Sequence, residues 1–164
     1  MEARVLPAAF ATATVVWVLL LGLAPVAAAQ GHASYIYGFA AMVYGACAFL
    51  CHQLPGRSFH LGSTQLPVCA RCTGIYAGAA AAAILDTLVP RLPITPSRLT
   101  LLAAAFPTLV TVIDEWITGG VTSNWIRFAA GVPLGAGVAI LVIASLCAVG
   151  VSSRAADVGS DQLN

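Results

Sequence analysis

The sequence predicts an all-α fold, a polytopic transmembrane helical bundle of about five spans, and three observations carry that prediction. Of its 164 residues, 60% are apolar and only 8% are charged, against about 25% charged in ordinary soluble domains. Several apolar runs reach about 20 residues, the length that a helix rising about 1.5 Å per residue needs to cross about 30 Å of hydrocarbon. The stretches between runs are short, which makes successive helices antiparallel neighbours, so residues 1–164 are read as a single membrane domain.

The first run, 8–29, follows Arg4 and closes on Pro25-Val26-Ala27-Ala28-Ala29-Gln30. It is read as a retained helix. Its small-residue end also resembles a secretory cleavage site, and removal would leave about four spans. The second run, 34–50, opens with Tyr35 and Tyr37, rings suited to the headgroup boundary. It is stopped by Cys51-His52-Gln53-Leu54-Pro55-Gly56-Arg57, where polarity, proline and glycine coincide. The third run, 68–89, carries small residues from Gly78 to Ala83 that let a neighbouring helix approach closely. Runs 99–118 and 128–149 follow, separated at Gly119-Gly120, and 150–164 is a polar tail.

A formal net charge of +1 without any basic run excludes nucleic acid as a partner; the expected partner is the lipid bilayer, and no protein partner is specified. There is no nucleotide-binding glycine loop, no H-E-x-x-H and no G-x-S-x-G, and the helix interiors hold too few ionisable residues for an ion path, so transport and protease chemistry have little support. The cysteines are odd in number, which does not read as a disulfide framework.

If every run crosses, the end of helix two, the start of helix three, the end of helix four and the start of helix five share one face. That face collects Cys51 and His52, then Cys69, Arg71 and Cys72, then Asp114 and Glu115, then Asn124 and Arg127, with Arg57 in the adjoining loop. Charges near membrane helices are costly and tend to face the bundle interior, so these residues are expected to converge. With the amino terminus inside, Arg4, Arg57, Arg71 and Arg127 lie on the inner side against Arg91, Arg98 and Arg154 outside, which favours a cytoplasmic Cys/His loop in the cell membrane.

Cys69-Ala70-Arg71-Cys72 is a C-x-x-C pair, and Cys51-His52 lies one short loop earlier. One cysteine and one histidine joined to two cysteines complete the four-ligand set that structural zinc takes, so Cys51, His52, Cys69 and Cys72 are the expected ligands and Zn2+ the expected cofactor. Cys51 and His52 can both ligate only where the helix has already unwound; His60 and Cys47 are substitutes. A second reading uses the same thiols without metal: at a helix start, beside Arg71, Cys69 and Cys72 suit a membrane thiol-disulfide oxidoreductase. A third makes the chain a structural or accessory subunit whose cysteines only pack. Asp114 is expected to pair with Arg127 and close helices four and five.

The segments Cys51-His52-Gln53-Leu54-Pro55, Arg57-Ser58-Phe59 and Gln65 through Gly78, followed by Asp114, Asn124, Arg127 and Gly131, resemble a known family. It is the membrane-protein family filed as domain of unknown function 2085, and the resemblance runs from about Tyr44 to Leu141. It implies a multi-span membrane protein identified by Cys51, His52, Cys69 and Cys72, and no substrate or reaction. The chain departs from the expected small residue after Asp114, carrying Glu115-Trp116 instead.

Overall fold

The computed structural model describes residues 5–30, 34–89, 97–119 and 122–161. Its elements, in order, are α1 (Val5–Ala29), α2 (Ser34–Ala48), a 3-10 turn (Pro55–Arg57), β1 (Ser58–Leu61), β2 (Thr64–Cys69), α3 (Ala70–Leu88), α4 (Arg98–Thr118) and α5 (Asn124–Asp161). The fold is all-α apart from one short hairpin. Arg4 and Arg91, used above to weigh orientation, lie outside the described residues.

Among the described residues, α1, α4 and the Asn124–Ala148 part of α5 are long and apolar enough to cross a membrane. The 15 residues of α2 give about 22 Å of helix, short of the hydrocarbon thickness. The 19 residues of α3 nearly reach it at about 28 Å, but Arg71, Tyr76 and Asp86 dilute its apolar character. The surface fits lipid and not water. α4 buries none of its residues, while Leu102, Phe106, Leu109 and Ile113 point outward from it, and contiguous apolar faces of that size are rare on soluble monomers.

The core is built from small side chains. Along α3, Gly74, Gly78, Ala80 and Ala83 are buried, and along α5 so are Ala130, Gly131, Gly135 and Ala139. The two helices run parallel and touch through their backbones. A Cβ on Gly74 would lie 2.1 Å from the Phe128 carbonyl oxygen, and one on Gly78 2.1 Å from that of Val132. The reverse holds for Gly131, at 2.3 Å from the Arg71 oxygen, and Gly135, at 1.8 Å from that of Ile75. Two glycine pairs spaced four apart thus interlock, the device by which helices in lipid gain packing without a hydrophobic driving force. The close approach foreseen for Gly78 to Ala83 is present, and its counterpart is the Gly131 and Gly135 face.

α4 lies antiparallel to α5, joined by the Thr108 hydroxyl donating to the Ala130 oxygen at 2.7 Å. Its ends are capped: Ser97 Oγ accepts from the Thr100 N–H, and Gly119 takes the left-handed conformation at φ 61°. α1 lies antiparallel to α3. Ala11 packs with Ala83 and Ile143 at one end, Trp17 meets Tyr76 edge-on at 6.0 Å between centroids, and Leu21 and Ala24 join Val43, Cys47, Cys51 and Val68 at the other.

That last contact places α2 beside α1: Leu21 and Ala24 pack against Val43 and Cys47 of α2 and against Cys51 and Val68. The helix of the 34–50 run ends at Ala48. The 68–89 run is also shorter as a helix, because Val68 and Cys69 belong to β2. Residues 58–69 form an antiparallel hairpin pairing Ser58 with Cys69, His60 with Gln65 and Leu61 with Thr64, with an irregularity at Phe59. Gly62, at φ 62°, supplies the first position of its two-residue turn.

The glycine interface yields a direct test. Gly135→Ala drives a methyl group into the Ile75 carbonyl and is expected to cost about 1–3 kcal/mol or to prevent folding. Gly45→Ala, with no atom within 4 Å of the added carbon, is expected to be neutral or stabilising by about 0.5–1 kcal/mol. Thermal unfolding in detergent separates the two variants.

Candidate functional site

The site is assembled where α2 ends, the hairpin closes and α3 and α5 begin. α2 finishes with the N–H groups of Leu50 and Cys51 both donating to the Cys47 oxygen, at 3.0 and 2.9 Å. The helix itself ends at Ala48, so Cys51 lies outside it. Gln53 reverses the chain at φ 50°, a left-handed conformation that costs a side-chain-bearing residue about 1–2 kcal/mol. Polar contacts hold it there: Gln53 Nε2 donates to the Tyr44 oxygen at 2.7 Å and Gln65 Nε2 donates to the Gln53 oxygen at 2.6 Å. The Tyr44 hydroxyl donates to the Gln65 oxygen, tying the loop and the hairpin to α2.

β2 delivers Cys69 to the N-cap of α3, where its φ of −68° and ψ of 159° are extended. Cys72 falls three residues later in the first helical turn, the N-cap and N3 relationship in which two side chains meet across a helix start. The Sγ atoms of Cys51, Cys69 and Cys72 all lie within 4.8 Å of one another. The Cys69 N–H donates to Cys51 Sγ at 3.2 Å. No disulfide joins the described cysteines.

The hydrogen bond from the Cys72 thiol holds Cys69 well below the ordinary thiol range, at about 5. Burial opposes this, while the N–H groups of Cys72 and Arg71 and the Cys51 thiol reinforce it. Each is a donor stabilising the anion, as the positive end of α3 does.

His52 is exposed and stands outside the group of three sulfurs, although it lines the same cavity. That open cavity, of ≈ 320 Å³, is also lined by Leu50, Gln53, Leu54, Arg57, Arg71 and Arg127. His60 is exposed on β1, and Cys47 is buried in the cluster with Cys51. Neither belongs to the three-sulfur group.

The acidic partner differs from the expected one. Asp114 is exposed, and it is Glu115 that pairs with Arg127, its Oε1 accepting from Arg127 Nε at 2.9 Å. The same oxygen accepts from Arg71 Nη2 at 3.0 Å, and Arg71 Nη2 also donates to the Thr111 hydroxyl at 3.2 Å. The correction follows from helix phase. Thr108, Thr111 and Glu115 share one stripe of α4, and that stripe faces α3 and α5; Asp114 lies about 100° round the axis. Asn124 completes the network: Arg127 Nη1 donates to its Oδ1 at 2.8 Å, and its Nδ2 donates to the Ser58 oxygen of the hairpin at 3.1 Å. Phe59 packs on Trp125 at 4.9 Å and on Phe128 at 6.0 Å between centroids, fixing the hairpin against α5.

Apolar helices around a core of glycine and alanine, with thiols and arginines gathered at one end, define a helical membrane protein with a polar end-site. The chain belongs to the family of predicted membrane proteins known as DUF2085, whose profile matches residues 51–141. It is similar to a protein of Methanothermobacter thermautotrophicus, 33% identical over 93 residues that cover 57% of this chain and 84% of the relative. It is also similar to one of Methanocaldococcus jannaschii, 31% identical over 119 residues that cover 71% of this chain and 76% of the relative. Both relatives carry the name uncharacterized protein. No solved structure matches the chain.

Two expectations follow. Glu115→Gln leaves Arg127, only 3% exposed, without a counter-charge. It should destabilise the protein by about 3–5 kcal/mol, whereas Asp114→Asn should be silent in the same detergent melt. For the thiols, a lowered value means that the Cys69 thiolate dominates above about 5 and is lost as the pH falls through it. In chelator-treated protein, Cys69 is expected to alkylate with iodoacetamide at a rate nearly constant from about pH 6 upward, where a reference thiol titrating near 8.5 still accelerates. Mass spectrometry of the labelled peptide reads the rate.

Proposed function

We propose that this membrane protein holds a zinc ion through Cys51, Cys69 and Cys72 and that the fourth coordination position opens toward the arginine-lined cavity. The observation that carries the reading is the convergence of three sulfurs within 4.8 Å from two separate segments of chain. Zinc with sulfur bonds of about 2.3 Å in tetrahedral geometry separates its ligands by about 3.8 Å, so a small inward movement of the side chains closes the site. A dithiol oxidoreductase needs only Cys69 and Cys72; the third thiol and the amide donor on Cys51 Sγ are surplus to it. The lowered Cys69 thiol supports that second reading as well, and the experiment below separates them. His52, on the cavity rim, is available to the fourth position and is not required by it.

We read α1, α3, α4 and α5 as the crossing helices, with α2 and the hairpin covering one end of the bundle. The cytoplasmic loop expected above rested on α2 crossing. With α1 ending beside the loop, the same charge rule with the amino terminus inside puts the thiols on the outer side.

Detergent-purified protein is expected to carry about one zinc per chain by elemental analysis. Cys51→Ser, Cys69→Ser and Cys72→Ser should each lose it, and His52→Ala should keep the stoichiometry with weaker affinity. Protein free of metal whose Cys69 and Cys72 titrate as a reversible dithiol sinks the zinc reading in favour of the redox one.

A further inference from the structure

We infer that the cavity beside the thiols is a binding site for a phosphate monoester or inorganic phosphate, held by Arg57, Arg71 and Arg127. These three arginines line one open cavity of ≈ 320 Å³. The carboxylate bonded to them is that of Glu115, which meets Arg71 and Arg127 through a single oxygen. Arg57 is exposed and has no ion-pair partner among the described residues. Three positive charges against one negative leave a surplus of two in a cavity with low-dielectric walls. The surplus depends on the thiols: it is two when all are neutral, and one with a single thiolate or with three thiolates around a zinc ion. The inference therefore stands apart from the metal.

A second observation concerns Arg71. Its Nε is buried without a hydrogen-bond partner among the described residues. An orphaned donor on a guanidinium is costly and calls for an acceptor, and tetrahedral oxyanions are what this planar fork engages with two parallel bonds. A phosphate monoester offers three strong acceptor oxygens to the three arginines, where a carboxylate offers two.

Two apolar side chains stand on the rim beside His52: Leu50 is 63% exposed and Leu54 47% exposed. A cationic floor under an apolar lip accommodates a lipid with a monoester headgroup as readily as the free ion, and the two sources are separable by experiment. Full-length protein in detergent is titrated with inorganic phosphate by calorimetry. In parallel, protein reconstituted in nanodiscs of phosphatidate or phosphatidylcholine is assayed for retained lipid by native mass spectrometry.

Saturable binding of inorganic phosphate assigns the free ion, and selective retention of phosphatidate assigns a headgroup. In either case Arg57→Gln, at an exposed position outside the Glu115 network, should weaken binding about tenfold, equivalent to about 1.4 kcal/mol, with an unchanged melting temperature. Binding of neither probe overturns the inference, as does binding by Arg57→Gln as tight as in the unaltered chain. Zinc measured on the same samples keeps the two readings apart. Zinc without phosphate or phosphatidate removes this inference alone, and phosphate binding by zinc-free Cys69→Ser upholds it whatever becomes of the metal.

Discussion

Where α3 and α5 meet, the carbonyl oxygens of Phe128 and Val132 rest against Gly74 and Gly78, and those of Arg71 and Ile75 rest against Gly131 and Gly135. Such an approach leaves no room for side chains, so it is governed by backbone shape, and it admits one register. A slip by a single residue would set a side chain against a carbonyl. The consequence for the polar residues is immediate. Arg71 and Cys72 lie in the first turn of α3 and Arg127 in the first turn of α5, so locking the helices in parallel register brings both arginines to one level at one end of the bundle. Carbonyl contacts to glycine α-hydrogens at such interfaces contribute about 0.5–1 kcal/mol each. Their larger role is positional.

Glu115 is the answer of α4 to that placement. Two guanidinium groups at one level, one of them on a residue 3% exposed, repel each other and lose hydration. A carboxylate between them offsets both costs, and α4 supplies it from the stripe that also bears Thr108 and Thr111. Replacing a buried ionic cluster with apolar groups is often harmless, but removing one member strands the rest. The cluster is thus poor evidence for stability and better evidence for specificity: it sets the axial position of α4 against the other two helices. Asn124 extends that specification to the hairpin, and through the hairpin to Cys69.

Much of the fold was legible because apolar run length is a one-dimensional signal. α1, α4 and α5 needed nothing more. The C-x-x-C motif and Cys51 were legible as a site because their spacing in the chain survives folding. What escaped the sequence depended on direction or on competition between local signals. The hairpin carried its own mark, Gly62-Ser63 between short alternating segments, yet Val68 and Cys69 adjoin a strongly helical stretch and were absorbed into it. The choice of Asp114 over Glu115 ignored helix phase, although Thr108, Thr111 and Glu115 repeat at the spacing of one helix face. α2 is shorter than its apolar run, because Phe49 and Leu50 are apolar without being helical. Run length counts residues, whereas crossing requires rise.

The thiols and the arginines belong to one electrostatic arrangement. A thiolate at the edge of a membrane is poorly solvated and needs compensating positive potential, which this end of the bundle provides in the first turn of α3 and in the guanidinium groups across the cavity. Each alone would be a weak influence. With the hydrogen bond from the Cys72 thiol they hold Cys69 toward the anion, and an anionic sulfur in a cluster of three supports the proposed cation site. Were catalysis by a lone thiolate the purpose, a neighbouring pair of thiols would serve as well, and Cys51 could be any small residue. Its delivery from a separate segment, through a left-handed turn at Gln53 and a net of glutamine hydrogen bonds, is a structural cost that the proposed three-sulfur site accounts for.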